Sequence, residues 1–221
     1  MKYTITRTLL NPGAIVLMAL LSTACANTYY SAMESVGVPK RDIMVDRVED
    51  ARDSQQDAQQ QFQSALEQFG SVVHLQETDL KKAYDRLNRE YEQSLKAAEE
   101  VSSRIDKVES VSDALFKEWK KELKLYENPE LRASSKKQLD ATQARYDVML
   151  EGMHEAEASM QPVLAIFRDN VLFLKHNLNA QAIGSLEPEF EALQLEIDQL
   201  VRKMNASIEQ SNQFIAGLKS N

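Results

Sequence analysis

A chain of 221 residues with a single cysteine can hold neither an internal disulfide nor a cage of thiolates around a metal. Six glycines and five prolines are too few turn residues for an all-β fold, while 27% charged and 7% aromatic residues suit long helices with narrow apolar seams. The net charge of -8 argues against a nucleic-acid partner.

Residues 1–24 read as a signal peptide of the lipoprotein type. Lys2 and Arg7 give a positive start, and Gly13 to Leu21 is a short apolar run bounded by Asn11-Pro12. That run falls well short of the roughly 20 residues a membrane span needs. Leu21-Ser-Thr-Ala-Cys25 follows. Small residues before a cysteine resemble the lipobox of bacterial lipoproteins, in which the cysteine becomes the acylated first residue of the mature chain. Ser22 departs from the pattern, since a larger aliphatic residue is commoner there. An ordinary cleavage site beside an incidental thiol is the alternative, but it leaves the placement of the sole cysteine unexplained. By this resemblance Cys25 carries several acyl chains, and each buried methylene adds about 0.8 kcal/mol to the anchor. Position 26 is Ala, not the Asp that holds lipoproteins in the inner membrane, so the resemblance implies an outer membrane and its periplasmic face. Removing residues 1–24 leaves 24 basic and 34 acidic groups, a net of -10.

Residues 25–38 are expected to be a lipidated linker without helical period. Tyr29 and Tyr30 suit a headgroup layer, where amphipathic rings are favoured, or are plain linker residues.

From residue 39 apolar side chains recur three and four apart, the period of packed helices. The first seam is Met44, Val48, Ala51, Gln55, Ala58, Phe62, Ala65, Phe69 and Val72. The second runs from Leu80 to Tyr126 through Ile105, Leu115, Trp119 and Glu122, the third from Leu139 to Leu174, and the fourth from Phe190 to Leu218. Pro39 suits a first turn, and Asn128-Pro129-Glu130 supplies a cap, a first-turn proline and an acid. Gly184-Ser185 reads as a helix stop and a new cap, with Pro188 in the first turn. Pro162 is expected to kink the third helix. The first break is open: Gly70 or His74 to Thr78 turns the chain, or the first two helices form one bent rod. The middle helices come to about 47 and 54 residues, or 70 to 80 Å, and the outer two to about 34 residues, or 50 Å. The expected fold is all-α, an elongated antiparallel coiled coil or helical bundle of about four long helices, in a single domain over 39–221.

Val163-Leu-Ala-Ile-Phe-Arg-Asp-Asn-Val-Leu-Phe-Leu-Lys-His-Asn-Leu-Asn-Ala-Gln-Ala-Ile183 resembles a bacterial family, the domain of unknown function numbered 2959. So do Tyr29-Tyr-Ser-Ala-Met-Glu-Ser-Val-Gly-Val-Pro-Lys-Arg-Asp42 and Arg47-Val-Glu-Asp-Ala-Arg-Asp-Ser-Gln55. The resemblance covers essentially the whole mature chain. It implies a secreted helical protein and carries over no catalytic residues. Relatives have glycines near the first break, where this chain has His74-Leu-Gln-Glu-Thr78.

Four features invite chemistry. Glu151-Gly-Met-His154 has the spacing that di-iron bundles use, but such sites need two pairs and two further glutamates, so a surface pair is the expected reading and no metal or cofactor is assigned. His176 reads as a histidine near a helix C-terminus. Val171, Leu172, Phe173 and Leu174 cover most of a helix circumference, either buried in a bundle centre or forming a groove for a helix or a lipid chain. The span Phe116 to Gln138 holds Lys117, Lys120, Lys121, Lys124, Arg132, Lys136 and Lys137 against four acids, an excess of +3 in an acidic chain. It reads as a solvated tip or as a contact for an anionic envelope surface. Because the middle helices are longest, this tip is expected to project furthest from Cys25. No triad, phosphate loop or Cys-His pair is recognisable, so no enzyme is expected. The functional expectation is a lipid-anchored envelope scaffold or adaptor, held to the membrane at Cys25 and meeting an envelope protein or the cell wall. A periplasmic binding module for lipid or another apolar ligand is the alternative.

Overall fold

The computed structural model describes residues 29–30, 32–74, 80–177 and 184–220. The expected signal peptide (residues 1–24), Cys25, Thr78 and the end of the 163–183 family motif lie outside them. Four long helices make up the fold: α1 (Lys40–His74), α2 (Leu80–Glu122), α3 (Pro129–His176) and α4 (Glu187–Lys219). Each packs on its neighbours in sequence, and α4 closes back on α1. Cross-helix pairs fix the directions. Gln61 meets Glu90 while Asp50 meets Arg104, and Gln59 meets Asn205 while Arg52 meets Asn212. As one index rises the other falls, so neighbours are antiparallel and the fold is an up-down-up-down four-helix bundle.

The seams explain the packing. All nine seam residues of α1 are fully buried, Gln55 included, and the α3 seam is buried from Leu139 to Leu174. Each large apolar side chain so buried contributes about 1.5–3 kcal/mol. The first two helices are not one bent rod, since α1 and α2 pack side by side, and Gly70 lies inside α1. Asn128 caps α3 as expected, its Oδ1 accepting from the Glu130 and Leu131 amides at 2.8 and 3.2 Å. The start of α4 falls one residue later than expected: Leu186, not Ser185, is the cap residue, and its side chain makes no cap hydrogen bond. Pro162 is exposed on an unbroken α3.

The middle helices are 43 and 48 residues, shorter than expected, and the second seam fades at its end. Trp119 is only partly buried, and Glu122 and Tyr126 are exposed. The cause is register. Leu218, near the end of α4, lines a cleft with Thr142, and Lys40, at the start of α1, pairs with Glu118. Past that level, among the described residues, only the α2–α3 hairpin continues. The first 13 residues of α3 overhang by about 20 Å at 1.5 Å per residue.

The expected linker also departs from its reading. Residues 32–35 form a helical turn closed by Gly37, whose φ of 89° is open to glycine at little cost. The Val38 amide donates to the Met33 carbonyl at 3.0 Å and the Gly37 amide to that of Glu34 at 3.0 Å, a Schellman stop. One turn is too short to show a period in sequence. Tyr30 is buried rather than free for a headgroup layer, with Tyr29 edge-on at 5.3 Å. This hook lies against α2 between Ser110 and Glu118, toward the hairpin end of the bundle.

Candidate functional site

The hairpin end gathers the features that could act on another molecule. Where α1 begins, Lys40 is nearly buried, and its ammonium lies 2.6 Å from both Glu34 of the hook and Glu118 of α2. Burial disfavours the charged form, but the bonds to Glu118 and Glu34 outweigh it and raise the lysine pKa. Arg41 donates to the Leu218 carbonyl, tying the last turn of α4 to the first of α1. Between these groups lies a cleft of about 300 Å³ with Trp119 and Leu115 as its apolar walls. The Trp119 Nε1 donates to Ser135 Oγ at 2.9 Å, so the ring is held against α3. The cleft can take a small amphipathic group, but its ammonium is already matched by carboxylates.

Beyond the cleft the hairpin tip carries the basic cluster. Lys117, Lys120, Lys121, Lys124, Arg132, Lys136 and Lys137 are all exposed. A surface notch of about 520 Å³ brings Lys120, Lys124, Arg132 and Lys136 around Leu123 and Tyr126, with Glu127 the one acid of its lining. Lys136 is paired with Asp140 at 2.6 Å. Leu125 and Leu131 project from the same tip at 73% and 57% exposure. The shaft differs in sign. A groove between α2 and α3 is lined by Asp106, Glu109, Asp113 and Asp147, with Lys117 and Lys120 at its tip end.

The other sequence candidates fall elsewhere. Val171 and Leu174 are buried in the bundle, while Leu172 and Phe173 point outward at 49% and 40% exposure. The run is therefore split between core and surface, and it forms no continuous groove. His154 does not pair with Glu151. Its Nε2 lies 2.8 Å from Glu109 of α2 and its Nδ1 3.1 Å from Glu157. Partial burial works against protonation, and the two carboxylates outweigh it, raising the pKa above the ordinary histidine value. Among the described residues no cluster of three or more His, Cys, Asp or Glu has the geometry to hold a metal. His176 is exposed in the last turn of α3.

Sequence reasoning missed the Lys40 pairing and the hook. Lys40 has acids at many spacings along the chain, and no local pattern selects one 78 residues away.

The family described as Protein of unknown function (DUF2959) matches residues 29–218, from the hook to the last turn of α4. The chain belongs to that family. The match spans the hook, with Tyr30 and the Schellman stop, as well as the four helices. No curated protein and no solved structure matches the chain. No helix among the described residues is long and apolar enough to cross a membrane.

Proposed function

We propose that this protein is a lipoprotein of the bacterial cell envelope, anchored by acyl chains on Cys25 to the periplasmic face of the outer membrane. It works there as a helical scaffold or adaptor, without catalysis. The observation that carries the anchor is the sole cysteine, set after Leu21-Ser-Thr-Ala behind a short apolar run and a positive start. The adaptor role draws on the filled interior. The core runs from Tyr30 to Leu218 with its seams closed by large side chains, so contact with another molecule falls to the outer surfaces.

The test is Cys25→Ser in the full chain, expressed in a bacterium fed an alkynyl fatty acid. The unchanged chain is expected to take the label and stay with outer-membrane fractions through a high-salt wash. The variant is expected to lose the label and the outer-membrane association. Equal labelling, or equal retention after the wash, overturns the anchor.

A further inference from the structure

The geometry points to the hairpin tip as a docking surface for anionic phospholipid, so that the bundle stands with its basic tip on the membrane that carries its anchor. The shared membrane rests on the anchor proposed above; the affinity of the tip for lipid does not.

Three independent observations converge. The first is charge. Lys120, Lys124, Arg132 and Lys136 line one notch with a single acid, and among the described residues Lys120, Lys124 and Arg132 have no carboxylate within ion-pair distance. The adjoining groove of the shaft is mostly acidic. An anionic surface therefore attracts the tip and repels the shaft, within the roughly 8 Å over which charges act at physiological salt.

The second is apolar exposure at the same place. Leu125 and Leu131 stand out from the end of the hairpin, and Tyr126 is 40% exposed beside the notch. Cations around projecting leucines and a tyrosine suit a bilayer interface, where phosphates meet the cations and the boundary of the acyl region takes the leucines. A glycan or a soluble polyanion offers the charge and nothing for the leucines. That difference decides for lipid over cell wall.

The third is position, which bears on the sequence expectation that the tip lies furthest from Cys25. The hook fastens Tyr30 to Ser110, about 18 Å along α2 from Glu122, whereas the opposite end of α2 at Leu80 is about 45 Å away. Cys25 precedes Tyr29 by four residues, a reach of at most about 15 Å. The opposite end of the bundle lies far beyond that reach. At that reach the anchor comes at best within a few ångström of the level of Glu122, the end of α2 from which the tip projects.

The experiment uses the chain from Ala26 onward. It retains the whole core from Tyr30 to Leu218, and it carries neither the apolar leader nor the acyl group. Binding is read by flotation with vesicles of phosphatidylglycerol and phosphatidylcholine, and with phosphatidylcholine alone, at low and physiological salt. The unchanged chain is expected to float with the anionic vesicles only, and more strongly at low salt. Lys120→Glu, Lys124→Glu and Arg132→Glu together are expected to lower the affinity at least ~tenfold, from the attraction each cation near an anionic surface supplies. The same charge change on the shaft, with Lys107→Glu, Arg202→Glu and Lys203→Glu, is expected to leave it within about twofold, these three lying away from the tip. Leu125→Ser with Leu131→Ser is expected to weaken vesicle binding and to leave adsorption to heparin, a soluble polyanion, unchanged. Circular dichroism confirms the fold of each variant, all being substituted at exposed positions. No flotation with anionic vesicles overturns the proposal. So does an equal loss from the shaft variant, or vesicle binding that ignores the two leucines. None of these outcomes touches Cys25, so failure here leaves the anchor to its own labelling test.

Discussion

Tyr30 donates its hydroxyl hydrogen to Ser110 Oγ at 3.1 Å, across 80 positions of the chain, and so fixes where the N-terminal segment joins the bundle. The ring is 6% exposed and belongs to the core. Removing only the hydroxyl, Tyr30→Phe, is expected to cost about 1 kcal/mol. Tyr30→Ala, which empties the site, is expected to cost about 3–5 kcal/mol, as for other buried aromatics. Thermal unfolding measures both, and limited proteolysis reports whether cleavage before Lys40 speeds up in the alanine variant. Protection unchanged in Tyr30→Ala means that the hook is held by something else.

Lys40 is the most deeply buried charge of the described bundle, and its two carboxylates differ in exposure. Glu118 is 26% exposed at the side chain and Glu34 46%. Breaking the better buried pair with Glu118→Gln is expected to cost about 1–3 kcal/mol, since the ammonium keeps only an outer partner. Lys40→Met is expected to cost less, because an apolar chain there needs no counter-charge. The sign with pH follows from the raised lysine pKa. Its stabilisation is complete below the unfolded value of about 10.4 and is lost as pH rises through the folded value. Denaturant melts at neutral and strongly alkaline pH, with and without Lys40→Met, measure this term.

His154 gives a second pH term at lower pH. Its folded pKa is raised, so the protonated ring stabilises the α2–α3 contact fully below the unfolded value of about 6.5 and ceases to do so as pH climbs through the folded value. With 46% side-chain exposure the effect is small. A nuclear magnetic resonance titration is expected to place His154 above the free-histidine value. Glu109→Gln is expected to bring it part of the way back, and a shift in the opposite direction contradicts the geometry.

Asn170 is buried in the α3 seam, and its amide donates to the Ile166 carbonyl of its own helix at 2.8 Å. The sequence suggests a register device, since a polar seam residue can select one pairing of helices. A bond within one helix gives no such selection. Asn170→Leu is therefore expected to raise the melting temperature slightly and to leave the oligomeric state unchanged, checked by calorimetry and sedimentation. A variant that changes its association state returns the residue to a pairing role.

What could be read in advance follows from the range of each signal. The seams of α1 and α3 are local periodicities, and every one of their seam positions is buried. The Asn128-Pro129-Glu130 cap is likewise a three-residue pattern. The overhang was not legible, because it depends on where α4 stops against Thr142 and where α1 starts against Glu118. Trp119 shows the consequence: it keeps the seam period and still sits half out of the core. The quartet Val171 to Leu174 shows another limit. Apolar residues all round a helix do not say on which sides a neighbour is present. For the candidate contact surface, the basic excess and its place at a hairpin turn were readable. Its place relative to the N-terminal hook depended on the Tyr30–Ser110 bond, a contact between residues 80 apart.

The central claim is that the anchored bundle keeps its hairpin tip on the membrane and its other end away from it. A photo-reactive benzoylphenylalanine placed at Leu125 or at Leu172 in the full chain, irradiated in intact cells, measures this directly. Both positions are exposed, at 73% and 49%, and they lie near opposite ends of α3. Crosslinking to phospholipid is expected from position 125 and not from position 172. Lipid adducts at 172 alone, or at neither position, contradict the account.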